Sequence, residues 1–278
     1  RCAAFVFPGS NTMPVVNTGR YDINYIEEGK GFPVLLIHGL AGDHTAWMPQ
    51  LAAWRDKYRV IAFDNPGSGD SSLVSDPVVT ADLADATLGL MDKLGIEKAH
   101  VVGRSMGGAV AQHIALKAPE RLQSMALAAS FARLDPLGSQ VIANLQQLLT
   151  WRKSWAEWAP HAVYLFVAPG FYNANAELMA KITALVSGED RDMVSYDNLA
   201  TACIEHDVLD RLSEVKTPTL VMGGRFDPIC SMTAQNWMMD QLPNAELEVF
   251  ENSSHFFLME EAEKAMTSIE SWFEKNAA

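Results

Sequence analysis

One serine in this 278-residue chain stands where it could act as a nucleophile. Ser105 has Gly103 two residues before it and Gly107 two residues after it, between the apolar run Ala99–Val102 and a helix-like pattern. Glycines at those positions permit a turn so sharp that any Cβ would collide, and such a turn lifts the hydroxyl clear of a sheet. It also places the serine at a helix N-terminus, whose N–H groups favour developing negative charge. The alternative is a glycine-rich turn in which the serine only caps the helix.

A nucleophilic serine needs a general base, and the base needs a carboxylate that fixes its tautomer. Asp227 follows the apolar run Thr219–Gly224, and His255 follows the run Leu247–Phe250. If both runs are strands of an open parallel sheet, their carboxyl ends converge on one crevice, so residues far apart in sequence can meet there. We therefore predict that Ser105, Asp227 and His255 form a catalytic triad.

The elements that must position these residues follow a regular pattern. Strand and helix patterns alternate from Pro33 to Ser130, which is typical of a parallel sheet with crossover helices. Two alternating segments before them, Val15–Gly19 and Tyr21–Ile26, predict a hairpin. From Phe131 to Val215 the strands disappear and helices are predicted instead. The predicted helices are Gly138–Arg152, Trp155–Val167, Ala176–Val186 and Asp190–Ile204.

Two further turns complete a known set of landmarks. The predicted strand Pro33–Ile37 ends in His38-Gly39-Leu40, and the strand Arg59–Phe63 ends in Asp64-Asn65-Pro66-Gly67-Ser68-Gly69-Asp70-Ser71. With the serine turn and the order Ser, Asp, His, these motifs make the chain resemble the α/β-hydrolase superfamily from about Tyr21 to its C-terminus. The resemblance implies an α/β-hydrolase fold: a mostly parallel eight-stranded sheet flanked by helices, with an inserted helical lid.

The same resemblance divides the chain and assigns further residues. It implies a core of residues 13–130 and 216–278 and a lid of residues 131–215. The backbone N–H groups of Leu40 and Met106 would form the oxyanion hole, and losing one such donor typically costs on the order of 10²–10³ in rate.

Two residues remain alternatives within the triad. Asp135 follows the sixth predicted strand, where some relatives carry the carboxylate. His206, beside Glu205 and Asp207 at the end of the lid, is the rival for the base. We prefer Asp227 and His255 because their places at strand ends and their order match the superfamily.

The aromatic residues of the lid indicate the type of substrate. Most should pack the lid onto the core, as aromatic stripes at helical spacing usually do. Trp155 and Trp158 are the predicted substrate contacts, because binding pockets are mostly apolar with few polar groups. We expect the lid to set specificity and to favour compact substrates with an apolar acyl or alcohol part.

The reaction class follows from the nucleophile and its neighbours. A serine argues against the relatives that place Asp at this turn to form an ester intermediate. The lid and the stretch Ser105–Gly108 look most like the carboxylesterase, enol-lactonase and aminoacrylate-hydrolase group, which predicts ester or lactone hydrolysis through an acyl-enzyme. Hydrolases of C–C bonds are an alternative, although they usually carry Trp where this chain has Phe256. A cofactor-free perhydrolase or a hydrolase-fold receptor for a small ligand is also compatible with these motifs.

Composition excludes other classes. A net charge of −13 argues against nucleic-acid or anionic-membrane partners. No apolar stretch approaches the roughly 18 residues needed to cross a bilayer. No Cys/His cluster or nucleotide-binding loop occurs, so neither a metal nor a cofactor is expected. The expected partner is a small ester or lactone, and a homodimer is left open.

Cysteine usage and the first residues complete the sequence-based expectations. Cys2, Cys203 and Cys230 have no paired spacing, which favours a reducing compartment and a cytoplasmic location. Residues 1–12 precede the first predicted strand, and we interpret them as a vector-derived or leader tail.

Overall fold

One eight-stranded sheet dominates the computed structural model, which describes residues 13–188 and 191–277. The strands are β1 (Val15–Asn17), β2 (Asp22–Glu28), β3 (Pro33–Ile37), β4 (Arg59–Phe63), β5 (Ala99–Arg104), β6 (Leu122–Ala128), β7 (Thr219–Gly224) and β8 (Ala245–Phe250). Their order is β1-β2-β4-β3-β5-β6-β7-β8. The hairpin β1–β2 and the pair β2–β4 are antiparallel, and the other pairs are parallel. The predicted mostly parallel eight-stranded sheet is confirmed.

Helices cover both faces of the sheet. They are α1 (Met48–Trp54), α2 (Thr80–Lys93), α3 (Met106–Lys117), α4 (Pro136–Arg152), α5 (Trp155–Ala162), α6 (Pro169–Ala174), α7 (Ala176–Ser187), α8 (Met193–Glu205), α9 (Met232–Gln241), α10 (Phe257–Glu260) and α11 (Ala262–Lys275). Alternate residues of a strand face opposite sides, so Leu35 packs in the core with α2, α3 and α9, while Leu36 packs in the core with α1 and α11. Because both faces are buried, the central strands read as continuous apolar runs.

The helices α4 to α8 form an insertion between β6 and β7, and its two stems meet at its base. The N–H of Val208 donates to the carbonyl of Ala132 at 2.9 Å, and Arg133 pairs with Asp207 as an isolated antiparallel bridge. Within the insertion, the helix predicted over Trp155–Val167 is shorter than expected, because α5 ends at Ala162 and a 3₁₀ turn follows it. The α5 helix contains Pro160, which has no N–H to donate and therefore weakens the helix there.

Some expectations fall outside these ranges. The predicted tail, residues 1–12, and Asp190, the predicted start of the last lid helix, lie outside the described residues. Asp192 caps α8 instead, since its carboxylate accepts the N–H of Ser195 at 2.6 Å. Within residues 13–188 and 191–277, no helix has the length and apolar character that crossing a membrane requires.

Candidate active site

Ser105 occupies a turn that glycine makes possible. It joins β5 to α3 with φ 53° and ψ −120°, a conformation that side-chain-bearing residues rarely adopt. A Cβ at Gly103 would lie 2.4 Å from the carbonyl oxygen of Gly107, and one at Gly107 would lie 2.1 Å from that of Ile37. Larger residues at either position would therefore force the backbone apart. The N–H of Ser105 donates to the carbonyl of Ala128 at 2.9 Å, which ties the turn to β6.

The turn after β3 lies directly against Ser105. A Cβ at Gly39 would come within 3.0 Å of the Ser105 Cβ, so only glycine allows this approach without a shift. His38 holds the turn: its Nδ1 lies 2.8 Å from the Gly39 carbonyl oxygen, and its Nε2 accepts the N–H of Asn65 at 2.9 Å. These contacts put the proton on Nδ1, and burial lowers the pKa of His38, so the ring is neutral. Leu40 follows in this turn and lines the cavity beside Ser105.

The second predicted oxyanion donor follows Ser105 in the chain. Met106 is the first residue of α3, and the first N–H groups of a helix have no acceptor within it. The carbonyl of Ser105 accepts the N–H of Gly108 at 2.9 Å, so the helix begins immediately at the nucleophile. Met106 thus follows Ser105 directly, and Leu40 follows Gly39, the residue that approaches the Ser105 side chain.

Asp227 and His255 are joined by a hydrogen bond. Nδ1 of His255 lies 2.8 Å from Oδ2 of Asp227, and both residues are buried. The other carboxylate oxygen, Oδ1, accepts the N–H groups of Ile229 at 2.8 Å and Cys230 at 3.0 Å. Three donors therefore fix the carboxylate, and the bond to Asp227 uses Nδ1 of His255 and not Nε2. Ser105 and His255 line the same cavity.

The two alternative residues have structural partners elsewhere. Asp135 caps α4 by accepting the N–H of Gly138 at 2.8 Å, and it also accepts the hydroxyl of Ser231. His206 lies 2.8 Å from the hydroxyl of Thr80, and burial lowers the pKa of His206 to about 3. Neither residue lines the cavity of Ser105.

The cavity has a volume of about 230 Å³ and is walled by the insertion. Its apolar wall residues from that segment include Ile142, Leu145, Val163, Phe166, Ile182 and Val186. Trp158 also lines it, and its Nε1 donates to the carbonyl of Leu145 at 3.0 Å. Trp155 does not line this cavity. It lies behind Trp158, edge to face with ring centroids 5.0 Å apart, and borders a neighbouring open groove.

The insertion is also bonded to the loop that carries His255. The N–H of Phe256 donates to the carbonyl of Phe166 at 2.9 Å. Glu260 bridges the same junction, because its carboxylate accepts the N–H of Ser254 at 2.9 Å and that of Ala168 at 2.8 Å. Burial raises the pKa of Glu260. Glu260 was not predicted from the sequence, because its partner Ala168 is 92 residues away and no local pattern marks the pair.

Among the described residues, two groups of side chains could hold a metal ion. Asp227, Cys230 and His255 form one, and Asp43, His44 and Asp64 form the other, each with its ligand atoms within 4.8 Å of one another. In both groups the histidine is already hydrogen-bonded to an aspartate, at 2.8 Å in each case.

The chain is similar to known hydrolases over most of its length. The chain is 30% identical over 225 residues to the protein named "Putative carbamate hydrolase RutD" from Caulobacter sp. (strain K31), covering 81% of this chain and 84% of that one. It is 28% identical to 3-oxoadipate enol-lactonase 1 of Acinetobacter baylyi, covering 83% of this chain and 84% of the relative. A thermophilic esterase from Thermogutta terrifontis, solved with malate bound, superposes with a TM-score of 0.81 at 26% identity, covering 93% and 95% of the two chains.

The family follows from a match over more than half of the chain. Residues 33–196 match the family model described as the alpha/beta hydrolase fold. The matched segment begins at β3, contains the Ser105 turn and ends within α8 of the insertion. This chain is therefore a hydrolase that belongs to the alpha/beta hydrolase fold family.

Proposed function

We propose that the protein is a serine hydrolase that cleaves small carboxylic esters or lactones through an acyl-enzyme. The observation that carries the proposal is the hydrogen bond of 2.8 Å between Asp227 and His255, formed beside the cavity that Ser105 lines. A serine on a strained turn, a histidine and a histidine-orienting carboxylate are the parts that acyl transfer requires.

The proposed reaction uses each part in turn. With its Nδ1 proton held by Asp227, His255 takes the Ser105 proton on Nε2 while Oγ attacks the substrate carbonyl carbon. The carbonyl oxygen becomes an oxyanion, which the N–H groups of Leu40 and Met106 would stabilise. When the intermediate collapses, the alkoxide leaves with the proton from His255. Water then repeats the sequence on the acyl-serine, which releases the acid and restores Ser105.

The cavity indicates the size and polarity of the substrate. Its volume of about 230 Å³ fits a compact molecule, and the apolar wall favours an apolar acyl or alcohol part. Trp158 would contact that part directly, whereas Trp155 would act by supporting Trp158. We propose that the insertion, residues 131–215, acts as a lid that sets specificity, because it supplies these walls while the core supplies the reacting groups.

Carbamate hydrolysis is the second candidate. It is favoured by the relative at 30% identity that is named for carbamates. The same groups could attack a carbamate carbonyl, so the two candidates differ in substrate and not in machinery.

A panel of substrates tests the proposal. Hydrolysis of p-nitrophenyl acetate, ethyl butanoate, δ-valerolactone, ethyl carbamate and a ring-cleavage diketone is followed side by side for the wild type and Ser105→Ala, with thermal unfolding as the check on folding. We expect multiple turnovers on esters or lactones that Ser105→Ala loses almost entirely. Retained turnover in Ser105→Ala would contradict the serine mechanism. Selective activity on the carbamate or the diketone would reassign the substrate, and binding without turnover would favour a receptor.

A further inference from the structure

The residue before the nucleophile places a positive charge in the cavity. Arg104 is the last residue of β5, and its side chain lines the same cavity as Ser105 and His255. Its guanidinium carbon lies 5.1 Å from the centre of the Phe256 ring. The guanidinium thus lies over an aromatic ring, and its planar set of N–H donors matches the two oxygens of a carboxylate.

Arg104 has no anionic partner in the described chain. Its Nε–H group is buried and has no hydrogen-bond acceptor. No carboxylate within residues 13–188 and 191–277 forms an ion pair with the Arg104 guanidinium. Other arginines do have carboxylate partners. Arg59 donates two hydrogen bonds to the carboxylate of Glu27, at 2.9 and 3.0 Å, and Arg225 donates two to that of Glu251. A buried donor left without an acceptor costs free energy, so the Arg104 Nε needs an explanation.

The surroundings keep this charge available. Among the described residues, Asp43 is the acidic residue on the cavity wall. Its charge raises the pKa of Arg104, and its carboxylate accepts the N–H and the hydroxyl of Thr45 and forms no ion pair with Arg104. Arg191 lines the cavity as well. Burial, with a contribution from Arg191, lowers the pKa of Arg104 to about 10, and a group with that pKa is still charged at neutral pH.

We propose that the natural substrate carries a carboxylate close to its scissile ester or lactone bond, and that Arg104 binds this carboxylate. The inference rests on the proposed ester or lactone hydrolysis and narrows it to half-esters and lactone acids. Because Arg104 directly precedes Ser105 and the cavity is small, the two functional groups of the substrate must be separated by a short chain. The apolar walls would then hold the chain between them.

Matched pairs of esters test the charge on either side of the scissile bond. On the acyl side, monoethyl succinate is compared with ethyl 4-methylpentanoate, in which an isopropyl group replaces the carboxylate. On the alcohol side, 3-acetoxypropanoate is compared with 3-methylbutyl acetate. Released acid is titrated at constant pH for the wild type, Arg104→Met and Arg104→Lys. Arg152→Met is the control, because it removes a lid arginine that pairs with Glu157 and does not line the cavity.

The expected result is a change in preference. In at least one pair, Arg104→Met should lower the ratio of kcat/KM for the anionic over the neutral ester by about 10- to 100-fold, mainly through KM. Arg104→Lys should restore part of that ratio, and Arg152→Met should leave it unchanged. If Arg104→Met slows both members of each pair equally, Arg104 serves only to position Phe256 and the inference is overturned.

A binding measurement separates this inference from the proposed function. Glutarate is titrated calorimetrically into Ser105→Ala, and into the same variant carrying Arg104→Met. Binding that Arg104→Met abolishes supports a carboxylate site even if no ester is hydrolysed, in which case the proposed function alone fails. Ester hydrolysis by the wild type with no change in the ratio and no glutarate binding would retain the function and refute the site.

Discussion

Replacing Asp227 by asparagine changes one atom of the site, and the structure predicts how the side chain must orient. In the native protein Oδ1 of Asp227 accepts two backbone N–H groups, from Ile229 and Cys230, while Oδ2 faces Nδ1 of His255. In Asp227→Asn, turning the amide nitrogen toward the two N–H groups would leave both without an acceptor, at about 1–3 kcal/mol each. The amide nitrogen must therefore face His255.

That orientation gives His255 the wrong tautomer. The amide N–H of Asn at position 227 donates to Nδ1, so the neutral imidazole carries its proton on Nε2 and cannot accept one from Ser105. Reaching the reactive tautomer would set two N–H groups against each other, and the imidazolium would have no carboxylate to stabilise it. Loss of this arrangement is worth about 10⁴-fold in kcat, or about 5 kcal/mol of activation free energy.

The assay measures kcat on p-nitrophenyl butanoate together with thermal unfolding. Asp227→Asn should unfold near the wild-type temperature, because its amide oxygen keeps both backbone bonds. Asp135→Asn is the matched control, since Asp135 caps α4 and has no bond to His255, so its kcat should stay near that of the wild type. A kcat for Asp227→Asn above about a tenth of the wild-type value, or an equal loss in Asp135→Asn, would refute this reasoning.

Three further predictions concern stability, reactivity and specificity. Burial alone would raise the pKa of Asp64, but hydrogen bonds from His44 and Asn24 lower it from 3.8 to about 2, so Asp64→Asn should lower the free energy of unfolding at neutral pH by about 2 kcal/mol. Because the depressed pKa stabilises the fold above pH 4 and this contribution is lost as the pH falls toward 2, the difference should shrink in acid denaturation curves. Burial and the adjacent Asp227 raise the pKa of Cys230 well above its ordinary value, so iodoacetamide at pH 8 should leave native activity intact, and inactivation with mass added at Cys230 would contradict that. Trp158→Leu should raise the ratio of kcat/KM for hexanoate esters to kcat/KM for acetate esters by about tenfold, because Trp158 lines the cavity. Trp151→Leu, at an exposed position of the insertion, should leave this ratio unchanged. Equal ratios in the two variants would place the acyl pocket elsewhere.

The sequence predicted the fold, and the three candidate residues lie where the sheet topology puts them: Asp227 is bonded to His255, which lines the same cavity as Ser105. Each of the three follows a parallel strand: Ser105 follows β5, Asp227 follows β7 and His255 follows β8. The carboxyl ends of parallel strands lie at the same edge of the sheet, independently of the lengths of the loops. Features that depend on packing were not predictable. Which of Trp155 and Trp158 reaches the cavity depends on how α5 packs against α4, α7 and α8.

Long-range contacts limited the prediction in the same way. Arg104 could be named from its place before the serine, but the absence of any acceptor around its Nε is a property of the folded structure. Glu260 was missed because its bond to Ala168 joins the insertion to the histidine loop across most of the C-terminal half. The helix predicted over Trp155–Val167 ran past Ala162, because helical periodicity in the sequence continues into the 3₁₀ turn that follows α5.

Covalent labelling of the nucleophile tests the central claim most directly. The intact protein is treated with a fluorophosphonate and analysed by mass spectrometry and peptide mapping, beside Ser105→Ala and Ser130→Ala. Ser130 is a buried serine in the loop after β6, and its hydroxyl donates to the Ser105 carbonyl. The account predicts one phosphonyl adduct on Ser105, formed in step with loss of activity and absent in Ser105→Ala. An adduct on another residue, or full activity after stoichiometric labelling of Ser105, would contradict it.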